Sequence, residues 1–100
     1  MEVEHADSTL AQMEADLTYS GGFAVPIVRQ FRRVMQILRV VDDERQIYQF
    51  GSRRFKQLQG DRQHQHSLRL NKKWRLIVEL RGEGKERRVV VVGIENHYGD

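Results

Sequence analysis

Along the chain, helical spacing of apolar positions is most regular in residues 25 to 41. Val28, Phe31, Met35 and Leu38 follow at intervals of 3, 4 and 3, while Arg29, Arg32, Arg33 and Arg39 fill other positions. One apolar stripe on a 3.6-residue period predicts an amphipathic helix. Pro26 suits its first turn, and the pattern runs to about Val41. The following "DDERQIYQF" extends that helix or starts another turn. Upstream, Leu10, Met13 and Leu17 share one helical face, Ser8 can cap that helix, and "SGG" at 20–22 breaks it. "MEVEH" alternates Val3 with acids and reads as a short first strand.

After Gly51 the period changes from helical to alternating. "RRFKQL" puts Phe55 near Leu58 and ends in the turn "QGDR". "HSLRL" places Leu68 and Leu70 on one face, with Ser67, Arg69 and Asn71 on the other. In "WRLIVEL", Trp74, Leu76, Val78 and Leu80 oppose Arg75, Ile77 and Glu79. "RGEGKER" is a hairpin turn, and "RVVVVGI" is apolar on both faces, as a central strand covered on both sides is. The predicted class is therefore α+β: an N-terminal strand and two helices packed on one face of an antiparallel-rich sheet of four to five strands.

Parity sharpens the middle hairpin. If Leu68, Leu70, Trp74, Leu76 and Val78 share a buried face, even residues pair with even. The simplest loop is then Asn71, Lys72 and Lys73, and Arg69 faces Arg75. Like charges directly opposite destabilise a hairpin. A fold that keeps both arginines side by side is most simply using them to hold an anion. A two-residue loop would mix the faces and remove the inference.

Composition narrows the classes. A length of 100 residues suits one domain spanning 1–100. The chain is 39% hydrophobic and 31% charged, as soluble globular proteins are. No run approaches the roughly 20 apolar residues of a membrane span. The start "MEVEHADSTL" lacks the features of a signal peptide, and there is no cysteine, hence no disulfide or thiolate site. A cytoplasmic protein without membrane contact is expected. Net charge is +3, unevenly spread: acids dominate the first 16 residues and cations lead from Arg29 onward. Clustered cations call for an anionic partner, nucleic acid or an acidic protein segment; a merely solvated basic surface is the plainer alternative.

Familiar catalytic motifs are missing. There is no P-loop, dinucleotide fingerprint or G-x-S-x-G elbow, and "GEG" at 82–84 belongs to a hairpin. His64 and His66 in "HQH" lack a third ligand nearby, so they read as surface groups beside a basic groove, not as a metal site. The tail "ENHYGD" is either a loose end or polar groups delivered by a rigid strand. Arginines, a lysine, an imidazole and a phenol on one side of a small sheet are the parts of a metal-free ribonuclease. Such a reaction needs a proton acceptor for the 2′-hydroxyl, cations for the phosphorane and a proton donor for the leaving 5′-oxygen.

Three pieces combine into a known pattern. They are Leu58-Gln59-Gly60-Asp61-Arg62, His66-Ser67-Leu68-Arg69-Leu70-Asn71 and Trp74-Arg75-Leu76, followed by a valine-rich strand and a short polar tail. Residues 50 to 98 thereby resemble the RelE/ParE superfamily of bacterial toxins, most closely its HigB-like branch, the plasmid maintenance system killer proteins. The resemblance implies a RelE-like fold and a type II toxin that cleaves messenger RNA, usually in the ribosomal A site, and so inhibits translation. Its implied partners are mRNA, the ribosome and a cognate antitoxin, a helix-turn-helix protein of HigA type; no cofactor or metal is implied. The family's catalytic arginine matches Arg75, and its terminal Asp-Tyr-His falls on Asn96-His97-Tyr98, with Asn for Asp and the last two in swapped order. Arg75 is expected to stabilise the scissile phosphate with Arg69 or Arg54. His97 is the expected acid or base, Tyr98 supplies stacking or a proton, and Lys56 is a second cation. Arg62, Lys72, Lys73, His66 and Asn96 complete the expected RNA contacts. Two alternatives stand beside this: a ParE-like gyrase poison, and a non-catalytic module that binds RNA or antitoxin.

Overall fold

In the computed structural model residues 1–96 are described. The elements are β1 (Glu2–His5), α1 (Ser8–Ala15), α2 (Val25–Val40), α3 (Glu44–Ile47), β2 (Lys56–Gln57), β3 (Gln65–Arg69), β4 (Trp74–Arg81) and β5 (Arg88–Asn96). Short 3-10 turns occupy Gly51–Arg53, Gly60–Arg62 and Gly84–Glu86. The sheet has five strands in the order β1-β5-β4-β3-β2. β1 pairs with β5 in parallel and all other pairs are antiparallel. The expected α+β layout holds, and the valine-rich strand is central. Among the described residues no helix is long and apolar enough to cross a membrane.

The helices and one sheet face share the core. Phe31, Val34 and Leu38 of α2 are fully buried with Met13 of α1 and with Leu68, Leu76, Val78, Val89 and Val91 of the sheet. The 16-residue α2 carries the apolar stripe read from its spacing. Arg32, which the pattern assigned to the polar face, closes α1 instead. Its guanidinium donates to the carbonyl of Met13 (3.0 Å), one of those the helix end leaves open, and to those of Asp16 (3.1 Å) and Tyr19 (3.2 Å) in the loop beyond.

Some boundaries differ from expectation. The α1 cap is Asp7, whose carboxylate accepts from the Leu10 amide at 3.0 Å; Ser8 is already helical. The helix stops at Ala15 because the Asp16 carboxylate accepts from the Thr18 amide and hydroxyl, a local turn that competes with the helix. Leu17 therefore leaves the apolar face and is 76% exposed. Gly21 sits at φ +62°, and a Cβ there would lie 2.8 Å from Met13 Sδ. A side chain would be strained both by that conformation and by that contact.

The stretch "RRFKQL" forms only the two-residue strand β2. Arg53 closes a 3-10 turn and donates to Arg69 O (3.3 Å) and Gln30 Oε1 (2.9 Å), tying the turn to β3 and α2. Arg54 follows in the left-handed region (φ 48°, ψ 50°), which no strand continues through. "DDERQIYQF" does not extend α2 but starts the separate turn of helix α3, capped by Asp43.

Register decides what each face carries. Leu68 pairs with Leu76, Ser67 with Ile77, and Arg69 with Arg75. The odd-loop reading of the hairpin is correct, and the two arginines do stand opposite each other. β5 pairs Ile77 with Gly93 but Val78 with Val91, so Val92 is an extra, bulged residue. A bulge reverses the alternation of everything beyond it. Val89 and Val91 face the helices before it, Ile94 afterwards. Gly93 and Glu95 consequently share the opposite, open face with Ile77 and Arg75.

Candidate RNA-binding cleft

The open face carries a cavity of about 440 Å³ lined by strands β2 to β4 and the β3–β4 hairpin loop. Lys56 reaches it from β2, Ser67 and Arg69 from β3, and Trp74 and Arg75 from β4. Arg54, Asn71 and Lys72 complete the lining, so among the described residues five of eight lining residues are cationic and none is acidic. At an effective dielectric near 20, two like unit charges about 4 Å apart repel by about 4 kcal/mol. An anion among such cations converts the repulsion into attraction. The cleft is thus electrostatically fitted to phosphate.

Local structure positions each cation. Arg54 is the one non-glycine residue with positive φ among the described residues. Its left-handed backbone turns the chain out of the 3-10 turn and into β2, a conformation that costs about 1–2 kcal/mol for an L-residue. Strain of this kind gathers at functional sites. Asn71 shapes the hairpin loop. Its Oδ1 accepts from the amides of Lys73 and Trp74, both at 2.9 Å, and its carbonyl accepts from Arg69 Nε at 3.2 Å. Trp74 meets Phe23 edge-on, with ring centroids 6.1 Å apart, which braces the end of β4 against the α1–α2 connection. Ser67 is the buried polar residue of the cleft, 3% exposed.

Of the residues singled out from sequence, Arg54, Lys56, Arg69, Lys72 and Arg75 come together here. Lys73 is exposed in the hairpin loop and does not line the cleft. His66 does not reach the cleft either. It pairs with Val78 and Gln57, on the helix-facing side, where its ring stacks on Phe55 (centroids 4.9 Å, 20° between planes). Burial pushes its imidazole pKa down, which disfavours the charged form a phosphate would need. His66 shares the even parity of Leu68 and Leu70, so the alternation that buries those leucines places it on the same side. Asn96 stands opposite Trp74, again on the helix-facing side. His97 and Tyr98 lie outside the described residues.

Arg62 faces Glu95 instead of the cleft, donating to both carboxylate oxygens at 3.0 and 2.6 Å. The hydrogen bonds from Arg62 hold the Glu95 carboxyl below its usual range, burial opposes them, and the charge of Arg75 adds to the lowering. Ser67 and Asn71 were given no role from sequence, whereas Glu95 belongs to the polar tail expected at the strand end beside Arg75 and does stand across from it. Ser67 could have been found as the lone small hydroxyl between arginine-bearing positions of the pairing face. The face that Glu95 takes is set by the bulge, which leaves no mark in a run of four valines.

No protein-family model matches the chain, and no curated protein matches its sequence. Solved structures do match its fold. A YoeB/ParE toxin from Agrobacterium tumefaciens aligns with a TM-score of 0.64 and 18% identity, covering 98% of this chain and all of that one. YafQ from E. coli strain BL21(DE3) aligns with a TM-score of 0.59 and 10% identity, covering 98% of each chain. At these identities the likeness is one of architecture, and it extends over nearly the whole length: the chain has a RelE-like toxin fold.

Proposed function

We propose that this protein is the toxin of a type II toxin–antitoxin system and acts as an endoribonuclease on ribosome-bound messenger RNA, as in the HigB-like branch. The observation that carries the reading is the convergence of Arg54, Lys56, Arg69 and Arg75 around Ser67 in one cleft whose described lining is cationic. The sequence motifs and the whole-length likeness to a YoeB/ParE toxin support it. In the proposed reaction the 2′-oxygen attacks the adjacent phosphorus and loses its proton to the His97 imidazole, with Tyr98 as the proton donor at the other end of the step. Arg75, with Lys56 and Arg69 or Arg54, stabilises the negative charge that builds on the phosphorane oxygens. The 5′-oxygen leaves with a proton from the other tail residue, producing a 2′,3′-cyclic phosphate and a free 5′-hydroxyl. A cognate antitoxin, encoded beside it, would neutralise the cleft or its access.

The test is expression in cells of the parent protein and of Arg75→Ala and His97→Ala separately. Cut transcripts and arrested translation with the parent, both relieved in each variant, are the expected result. Inhibition by both variants as strong as by the parent would sink the site assignment. Arrested replication with intact transcripts would identify a gyrase poison instead.

A further inference from the structure

Next to the cleft the open face carries a second charged assembly that the proposed reaction does not use. Glu95 lies directly across from Arg75, with Oε1 3.7 Å from Arg75 Nη2. The same carboxylate is gripped by both terminal nitrogens of Arg62, from a turn 33 residues away in sequence. Arg62 Nε donates to Gln65 Oε1 at 2.9 Å, and Gln65 Nε2 donates to Glu79 Oε2 at 3.2 Å. Of these residues only Arg75 lines the cleft. The assembly therefore meets the cleft at one point, the Arg75 guanidinium.

The bulge at Val92 makes this possible. Without it, Glu95 would continue the alternation of Val89 and Val91 and enter the apolar layer. Removing that charge from water costs several kcal/mol. Bulges beside active sites commonly re-aim a side chain in this way.

Three roles can be weighed. A general base must have an oxygen available to take a proton, but both Glu95 oxygens already accept from Arg62 and one also faces Arg75. An ordinary surface ion pair is worth about 0–1 kcal/mol and needs no such scaffold. An arginine that must meet a developing phosphorane, however, carries about 2 kcal/mol of rotamer entropy. Holding it beforehand removes that cost from the barrier.

We infer that Glu95, braced by Arg62, is a positioning residue that fixes the Arg75 guanidinium for the scissile phosphate. The inference rests on the nuclease reading, and it assigns Arg62 to the brace instead of to RNA contact. Because the carboxylate is also a negative charge near the phosphate site, it opposes ground-state RNA binding while it helps the transition state. Its removal should therefore separate kcat from KM.

The experiment uses the full chain and a short single-stranded RNA that the parent cleaves on ribosomes. Glu95→Gln is expected to lower kcat between about 10- and 100-fold with KM unchanged or lower. Arg62→Met, which leaves Glu95 in place, should lower kcat similarly, and the double variant should be no worse than either single one. It also serves should Glu95→Gln fail to fold. Independently of activity, the heteronuclear NOE of the Arg75 Nε–Hε group should fall in each variant. An unchanged kcat, a loss expressed wholly in KM, or an Arg75 NOE equal to the parent's would overturn the inference. If the parent cuts no RNA, the nuclease reading fails, while the NOE still decides whether Glu95 orders Arg75.

Discussion

Strand β4 shows two regions of the molecule in one element. Towards the helices it presents Leu76 and Val78, both 0% exposed. Towards the other side it presents Arg75 and Glu79, held by ion pairs. Burial of apolar area supplies most of the stability on the first face. The second face holds a cleft of five cations whose mutual repulsion opposes folding. Ile77, between Arg75 and Glu79, is also 0% exposed, so on this second side it is Arg75 that β4 gives to the cleft. The two faces should respond to mutation in different currencies, one in stability and the other in activity.

The largest expected effect breaks the core side. Phe31 is 0% exposed at the centre of α2. Phe31→Ala should destabilise by about 3–5 kcal/mol, read as a lower urea midpoint. Activity per folded molecule should survive. Next comes Arg75→Ala on the open face, with the split reversed. Loss of one oriented charge donor should reduce cleavage on the order of 10²- to 10³-fold. The urea midpoint should report a stability change below about 1 kcal/mol. A comparable stability loss in both variants would mean that the two faces are not separable.

How much of this was readable beforehand follows the same division. The hairpin register was legible because Leu68, Leu70, Trp74, Leu76 and Val78 all fall on even positions, and one buried face fixes parity. From that parity the Arg69–Arg75 pair and the loop at 71–73 followed directly. The stretch from 51 to 58 was not legible, since Arg54 adopts a backbone conformation that its identity does not announce. The bulge at Val92 was equally silent, because valine suits either face. It decides that Glu95 reaches Arg75 while Asn96 turns to Trp74. For His66 residue type and parity disagree: its polarity suggests the cleft, but its even position puts it with Leu68 and Leu70 on the helix side. The core was written in residue type, whereas the site depends on register and on one strained residue.

Arg54 offers a sharper form of the comparison, because one substitution should move stability and activity in opposite directions. Arg54→Gly relieves the left-handed conformation and should raise stability by about 1 kcal/mol. It also removes a cation from the cleft, and RNA affinity should fall about tenfold, the usual worth of one charge-assisted contact. Thermal unfolding and RNA titration of the same sample read both. A gain in stability without a loss in binding would leave Arg54 outside the RNA contacts.

The smallest expected effect compares two carboxylates, one on each side of the sheet. Glu14 of α1 is forked by Arg39 at 2.6 and 2.7 Å and meets His5 at 2.8 Å. Its carboxyl is held below the usual range, first by the Arg39 hydrogen bonds, against opposing burial, with His5 adding to the lowering. Glu95 is lowered in the same sense by Arg62. For a carboxyl whose folded pKa is depressed, the stabilisation is complete above the ordinary glutamate value and disappears as pH falls through the folded one. Glu14→Gln and Glu95→Gln should therefore each cost about 0.5–1 kcal/mol at pH 7, and the difference from the parent should shrink on acidification towards about pH 2. Stability alone cannot tell the two apart. Cleavage can: Glu14 touches no element of the cleft, so Glu14→Gln should leave kcat and KM at parental values while Glu95→Gln lowers kcat. A fall in kcat with Glu14→Gln would show that the helix layer and the open face are coupled through the sheet, and the division of labour along β4 would have to be abandoned.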